Sequence, residues 1–441
     1  MFQRVLIANR GEIAVRIIRA CQELGIETVA VYSDVDAEAL HVRLADYACH
    51  IGPAEAQESY LNGPAIIAAA LAADVDAIHP GYGFLSENAD FAEAVAAAGI
   101  TYIGPLPETI RMVGNKDAAR EAMQRAGLPL ITGSDPIMDI TDVPKIAAAV
   151  GYPLIAKPIS GGGGNGMFTA HDEEELLRKL EMTAFVPGSL YFERYVCDAR
   201  HIEIQIMADN YGHIIHLGER ECSLQRRNQK ILEEAPSSAL TSEMRQKVGA
   251  LAILAAKSVN YTNIGTVEFL MDKQNRQFYF MEINPRIQVE HGITETITRM
   301  DIVRKQIRIA AGEPLNVKQD NIRFNGHAIE CRINAEDPEL NFMPWPGTID
   351  YYHQPGGPNV RVDSGVCCGS VVQPYYDSLI AKIIVHGRTR GDAIRIMKRA
   401  LAEFHIQGIK TTIDLHCRVL SDPQFCSGNI STQFVQKFLK P

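Results

Sequence analysis

From Phe280 to His291 the chain sets Glu282, Asn284, Arg286, Gln288 and Glu290 at every second position, with Met281, Ile283, Ile287 and Val289 between them. Side chains alternate faces along an extended strand, so these five polar groups would share one side, with Pro285 as the place where the run can bend. Glu268, in Thr266-Val267-Glu268-Phe269, lies on a second run that faces this one across the polar turn Asp272–Arg276, the pattern of a β-hairpin. Two carboxylates and an amide oxygen (Glu268, Glu282, Asn284) make a hard oxygen set suited to Mg²⁺ beside phosphates. Arg286, Gln288 and Lys230 have the donors to grip a small oxyanion, the guanidinium in bidentate fashion. Glu290 is then placed to act as general base on it. A solvated hairpin face is the plain alternative. In Arg200–Ile206 the same alternation puts His201, Glu203 and Gln205 opposite three isoleucines, which read alone is a sheet with one solvated face.

A second chemical signal is Gly161-Gly162-Gly163-Gly164-Asn165-Gly166. A stretch so free of Cβ atoms can turn several backbone N–H groups toward one anion. Met167 and Phe168 stand where a Walker loop needs Lys-Ser/Thr, so this is a different phosphate cradle. Lys157 just upstream and Lys116 further back supply the cations a polyphosphate needs. His79-Pro80-Gly81-Tyr82-Gly83 is a turn that could expose Tyr82, whereas His79 reads as packed. Arg332, on the strand Ala328–Ile333, reads unaided as an ion-pair residue. Cys222 has no histidine nearby at triad-like spacing and reads as structural.

These residues need elements to carry them. The first hundred residues alternate strand and helix patterns: Val5–Ala8, then Ile13, Ile17, Cys21 and Leu24 at helical spacing, then Thr28–Tyr32. Such a series predicts a parallel sheet covered by helices. The first turn, Asn9-Arg10-Gly11-Glu12, lacks the three glycines of a dinucleotide site. Beyond Asn115 strands and helices mix. The fold class expected is α/β with α+β: a parallel-sheet N-terminal domain, a glycine-rich lid and a mixed C-terminal domain.

Bulk properties narrow the partners. The 441 residues are 46% hydrophobic and carry a formal charge of −10, which argues against nonspecific binding to nucleic acid or to an anionic membrane. Nine scattered cysteines, none spaced C-x-x-C, predict reduced thiols and a cytoplasmic protein rather than a disulfide framework or a zinc site. No stretch approaches the roughly 18 apolar residues of a membrane span.

Taken together, IANRGEIA, HPGYGFLSEN, GNK, GGGGNGM, RHIEIQI, ERECSLQRRNQK, EEAP, GTVEFL, EINPRIQVEH, ECRINAEDP and PYYDSLIAK resemble the biotin carboxylase family of the ATP-grasp superfamily, nearly end to end. The resemblance implies an N-terminal domain over 1–114, an ATP-grasp domain over 115–330 with a lid at 131–203, and a C-terminal domain over 331–441. It implies that Lys116, Lys157, His201 and the flap glycines Gly162, Gly163 and Gly164 contact ATP phosphates. Glu193 and Val196 would line the adenine pocket and Gln225 the ribose side. Glu268, Glu282 and Asn284 would hold Mg²⁺ or Mn²⁺. Lys230, Arg286, Gln288 and the Val289 backbone would bind bicarbonate, with Glu290 as base, and Arg332 with Tyr82 would face biotin. Because the chain has no biotinyl Met-Lys-Met motif, the implied partners are a separate biotin carboxyl carrier protein and carboxyltransferase, in a homodimeric assembly. Departures from the family pattern are Pro158-Ile159 after Lys157, Asn165 for the flap arginine, Asn228 for a common histidine, and Gly292 for proline. A biotin-independent ATP-grasp carboxylate ligase, or a nucleotide-binding subunit without turnover, is the alternative.

Overall fold

The computed structural model describes residues 1–159, 166–183, 185–227 and 229–438; Gly162, Gly163, Gly164, Asn165 and Asn228 lie outside them. Near-continuous apolar runs build the centre of the first sheet. Strands β1 (Arg4–Ile7), β2 (Glu27–Ser33), β3 (Tyr47–Gly52), β4 (Ala77–His79) and β5 (Thr101–Tyr102) lie in the order β3-β2-β1-β4-β5, all parallel. Val5, Leu6 and Ile7 are wholly buried, as expected of a parallel strand covered on both faces. Helix Gly11–Glu23 packs Ile13, Ile17 and Cys21 against Val5 and Ile7. At its start, the Asn9 side-chain amide donates to the carbonyls of Pro80 and Tyr82, both at 2.7 Å, and so clasps the turn that carries Tyr82.

Strands β6 (Leu154–Pro158), β7 (Phe168–Ala170) and β8 (Leu190–Arg194) form a small antiparallel sheet, order β7-β6-β8, over a core that includes Leu154, Leu176, Leu180 and Phe192.

The frame of the site is an antiparallel sheet of eight strands. It contains β9 (Ala199–Ala208), β10 (Ile214–Arg226), β11 (Gln229–Ala235), β12 (Asn263–Asp272), β13 (Phe278–Asn284) and β14 (His327–Asn334), with the strands Leu379–Gly387 and Val360–Ser364. Their order is β13-β12-β9-β10-β11-β14, then Leu379–Gly387 and Val360–Ser364. Buried backbone groups must pair, and here they pair across a long stretch of sequence. Positions 330 and 331 therefore sit inside one strand, β14, and position 203 inside β9, well beyond the end of the small sheet at Arg194. The hairpin expected around Asp272–Arg276 forms as β12 and β13. The solvated face expected for 201–206 does not: every residue of β9 is buried. Its isoleucines pack on helix Ser242–Ser258 through Val248 and Ala252, and its polar face looks into the site.

The N-terminal and C-terminal parts come backbone to backbone at Gly365. A Cβ on Gly365 would lie 2.6 Å from the backbone nitrogen of Glu12.

Candidate active site

Ladder register brings the acids together. Glu282 on β13 stands opposite Glu268 on β12, Glu268 opposite Glu203 on β9, and Glu203 opposite Arg220 on β10. Three like charges in a row repel unless cations intervene. Arg220, wholly buried, donates to Glu203 and also to Gln205, Thr266 and Thr294. Lys230, near the start of β11, reaches Glu203 Oε2 at 2.5 Å, Glu268 Oε1 at 2.8 Å and Glu290 Oε1 at 2.8 Å. Burial alone would depress the lysine's pKa, but these three carboxylates raise it well above its ordinary value.

The extended run predicted over 280–290 stops at Asn284. Beyond it the chain turns at Pro285, and helix His291–Thr298 begins after Glu290. Proline has no N–H to give to a ladder, which accounts for the end of the strand. The polar groups nevertheless stay together. Arg286 donates to Asn284 Oδ1 (3.1 Å), Gln288 Oε1 (2.8 Å) and Glu87 Oε1 (2.5 Å), and the Gln288 amide points at Glu268 Oε1 (3.3 Å).

Glu290 is wholly buried and divided between two cations: Oε1 accepts from Lys230, and Oε2 from Arg332 Nη2 at 2.9 Å. Burial pushes its pKa up, but Lys230, Arg332 and Arg220 outweigh burial and hold it well below the carboxylate range. Arg332 also donates through Nε to Glu233 at 2.7 Å. Burial first, with Glu290's charge adding to it against the opposing pull of Arg332, lifts Glu233 to about 7. Tyr82 is half-buried rather than exposed, and its hydroxyl donates to Glu12. The carbonyl of Val289 accepts from Lys382 at 2.6 Å.

Three family models cover this frame: the biotin carboxylase N-terminal domain over residues 1–110, the ATP-binding domain of the carbamoyl-phosphate synthase L chain over 115–318, and the biotin carboxylase C-terminal domain over 330–437. Biotin carboxylase 1 of Bacillus subtilis is 53% identical over 445 residues, 99% of each chain. Biotin carboxylase of Nostoc is 54% identical over 446 residues, the whole of both chains. The chain belongs to the biotin carboxylase family. Among solved structures, the biotin carboxylase domain of Hydrogenobacter thermophilus 2-oxoglutarate carboxylase, a dimer with MgADP, ADP and bicarbonate, superposes with a TM-score of 0.93 at 47% identity, covering 100% of this chain and 99% of that one. Campylobacter jejuni biotin carboxylase in its β,γ-ATP complex gives 0.93 at 45%, covering 99% of each. The ATP-grasp fold of this biotin carboxylase family member follows from these neighbours.

Beside the clustered acids, His201 Nε2 lies 3.0 Å from Glu268 Oε2, and Gln225 Nε2 lies 2.7 Å from His201 Nδ1. Burial favours the neutral ring, but the Glu268 carboxylate outweighs it and raises the His201 pKa. Glu193 on β8 is paired with Lys157 on β6 and with Arg120 at 3.1 Å, while Val196 is half-buried just past β8. Lys116 is exposed at the start of helix Lys116–Arg125, and its charge acts on Glu282.

The oxygen set expected to hold a divalent cation fits one. Glu282, whose side chain reaches solvent, has its pKa pushed up first by the protein crowded around its carboxyl and then by the charge of Glu268 opposite. A cation between two such carboxylates would remove that repulsion. Asn284 would join by sharing the Oδ1 that now faces Arg286. His201, Glu203 and Glu268 also bring ligand atoms within 4.8 Å of one another, but Glu203 is taken up by Arg220 and Lys230. Sequence reasoning missed Arg220, Glu233, Glu12 and Lys382. Their partners lie tens to hundreds of residues away for the most part, and only the strand pairing makes them visible.

Proposed function

We propose that this chain activates bicarbonate with ATP and places the carboxyl group on biotin carried by a separate carrier protein. The observation that carries the proposal is Glu290, a buried carboxylate with one oxygen on the oxyanion-gripping lysine and the other on Arg332. At rest those cations make Glu290 a weak base. When bicarbonate enters, Arg286 and Gln288 bind it and Lys230 turns a donor toward it, and Glu290 gains proton affinity as Lys230 leaves it. It then takes the bicarbonate proton. The bicarbonate oxygen attacks the γ-phosphorus of ATP, the bond to the β-phosphate oxygen breaks, and carboxyphosphate and ADP form. Glu268, Glu282 and Asn284 would hold a Mg²⁺ or Mn²⁺ ion, which offsets charge on the transferring phosphoryl group.

Carboxyphosphate breaks down to CO₂ and phosphate, the phosphate takes the biotin N1 proton, and N1 attacks CO₂. Arg332, with Tyr82 nearby, faces the ureido oxygen and steadies the charge it gains. Lys116, Lys157, His201 and the glycines at 162–164 serve the phosphates, Glu193 and Val196 the adenine, and Gln225 the ribose. Because carboxyphosphate is short-lived, a lid over 131–203 that excludes water gives the glycine run its use. The first domain limit falls near 114, and the division at 330 falls within β14, a strand that both later parts share. The carrier, a carboxyltransferase and a second copy of the chain are the partners. The cytoplasm is the compartment; no helix among the described residues is long and apolar enough to cross a membrane.

ADP release that requires bicarbonate and rises with free biotin is the expected result. Turnover with another carboxylate and no response to biotin would make the protein a biotin-independent ligase. ATP binding without any turnover would make it a regulatory subunit. Glu290→Gln should lower ADP formation by at least about 100-fold, the scale of a lost general base. Unchanged turnover in that variant would remove Glu290 from the role.

A further inference from the structure

Lys382 is wholly buried and stands directly opposite Arg332 in the ladder between β14 and the strand Leu379–Gly387. Directly opposed residues project to the same face of a sheet. These two cations act on consecutive residues: Arg332 binds the Glu290 carboxylate, and Lys382 Nζ donates to the Val289 carbonyl at 2.6 Å. Lys382 has a second partner, Glu12 Oε1 at 2.9 Å, and the same oxygen accepts from the Tyr82 hydroxyl. Glu12 is itself buried, in the first turn of helix Gly11–Glu23.

One line of contacts thus runs Tyr82–Glu12–Lys382–Val289 and ends at the residue before Glu290. Burying an ammonium is costly, and one carboxylate is enough to balance it. A buried acid, Glu330, also bears on Lys382, yet neither of its carboxyl oxygens makes a hydrogen bond. Lys382 spends its donor on the backbone of the site instead.

We infer that Lys382, braced by Glu12, is a positioning residue: it fixes the Val289–Glu290 peptide, and so the base, against the tyrosine on the opposite wall. The inference rests on Glu290 being the base. Without Lys382 the carbonyl of Val289 loses its partner, and the peptide is free to turn Glu290 away from bicarbonate. ATP contacts come from other elements and are not touched.

The test is steady-state ADP release by purified full-length protein as bicarbonate and ATP are varied. Lys382→Met should lower kcat/KM for bicarbonate at least ten-fold and leave the KM for ATP within two-fold of wild type. Lys382→Arg, which can still donate to both partners, should recover part of the loss. The double variant E12Q/K382M removes the buried charge pair together, so it folds where Lys382→Met alone does not. If either folded variant keeps kcat/KM for bicarbonate within two-fold of wild type, Lys382 serves only to neutralise Glu12 and the inference is overturned. A rise in the KM for ATP as large as the loss for bicarbonate would overturn it too. Failure of the underlying reading shows separately, as turnover that survives Glu290→Gln.

Discussion

Lys230 answers three buried or nearly buried carboxylates with one ammonium, and their proton affinities diverge as a result. Burial lifts Glu203 and the charges of Glu290 and Glu268 add to that, against the pull of Arg220 and Lys230. Glu268 and Glu290 are driven the other way, because their cations outweigh burial. Replacing Lys230 with Ala strands this set, and breaking a buried pair costs about 3–5 kcal/mol. The expected outcome is a clear fall in Tm in differential scanning, together with loss of bicarbonate-dependent turnover. At this scale the alternation of polar residues revealed part: Arg286 contacts Asn284 and Gln288, and Gln288 reaches Glu268, although the strand ends at Asn284. What alternation cannot reveal is which cation neutralises which acid. Arg220 meets Glu203 because β9 and β10 pair, and no spacing in the sequence encodes that register.

Between β9 and β11 the long strand β10 carries three irregularities, between His216 and Glu219, between Glu221 and Leu224, and between Leu224 and Gln225. Gly218 sits in the first with φ +81°, and a Cβ there would lie 2.6 Å from the Phe324 ring. A bulge re-aims the residues that follow it, and here those are Arg220 and Cys222. Gly218→Ala should destabilise the protein by about 1–3 kcal/mol from overpacking alone. It should also lower turnover by displacing Arg220; urea midpoints and ADP release, measured side by side, check both. The hairpin β12–β13 was legible from its turn and alternation. The end of β13 at Asn284 was not, because a proline after an alternating run marks a bend without saying how the chain leaves it.

The whole molecule buries several histidines in the neutral form. Burial lowers His41 and His416 to about 4, and His79 and His291 to about 3. Each binds a proton near pH 6.5 once unfolded, so the unfolded chain takes up more protons as pH falls. Stability is therefore full above about 6.5 and declines below it until the folded-state values are reached, by at most about 1.4 kcal/mol per pH unit for each ring. Tm should fall steadily between pH 7 and pH 5; a flat profile would mean these rings are protonated in the fold. The central strands of the parallel first sheet were readable because they are covered on both faces and apolar, whereas the largely exposed edge strand β3 was not. The eight-stranded sheet was not, since it sets strands as far apart in sequence as β11 and β14 side by side, and no spacing encodes that pairing. The contact at Gly365 joins the chain's first helix to its C-terminal part. With backbone lying on backbone, the gap between the two ends of the chain is as thin as polypeptide allows, so nothing there can be shimmed: a methyl group would prise Glu12 off Lys382. Chimaeras that exchange the first hundred residues with a relative should work only when the turn at 365 travels with them.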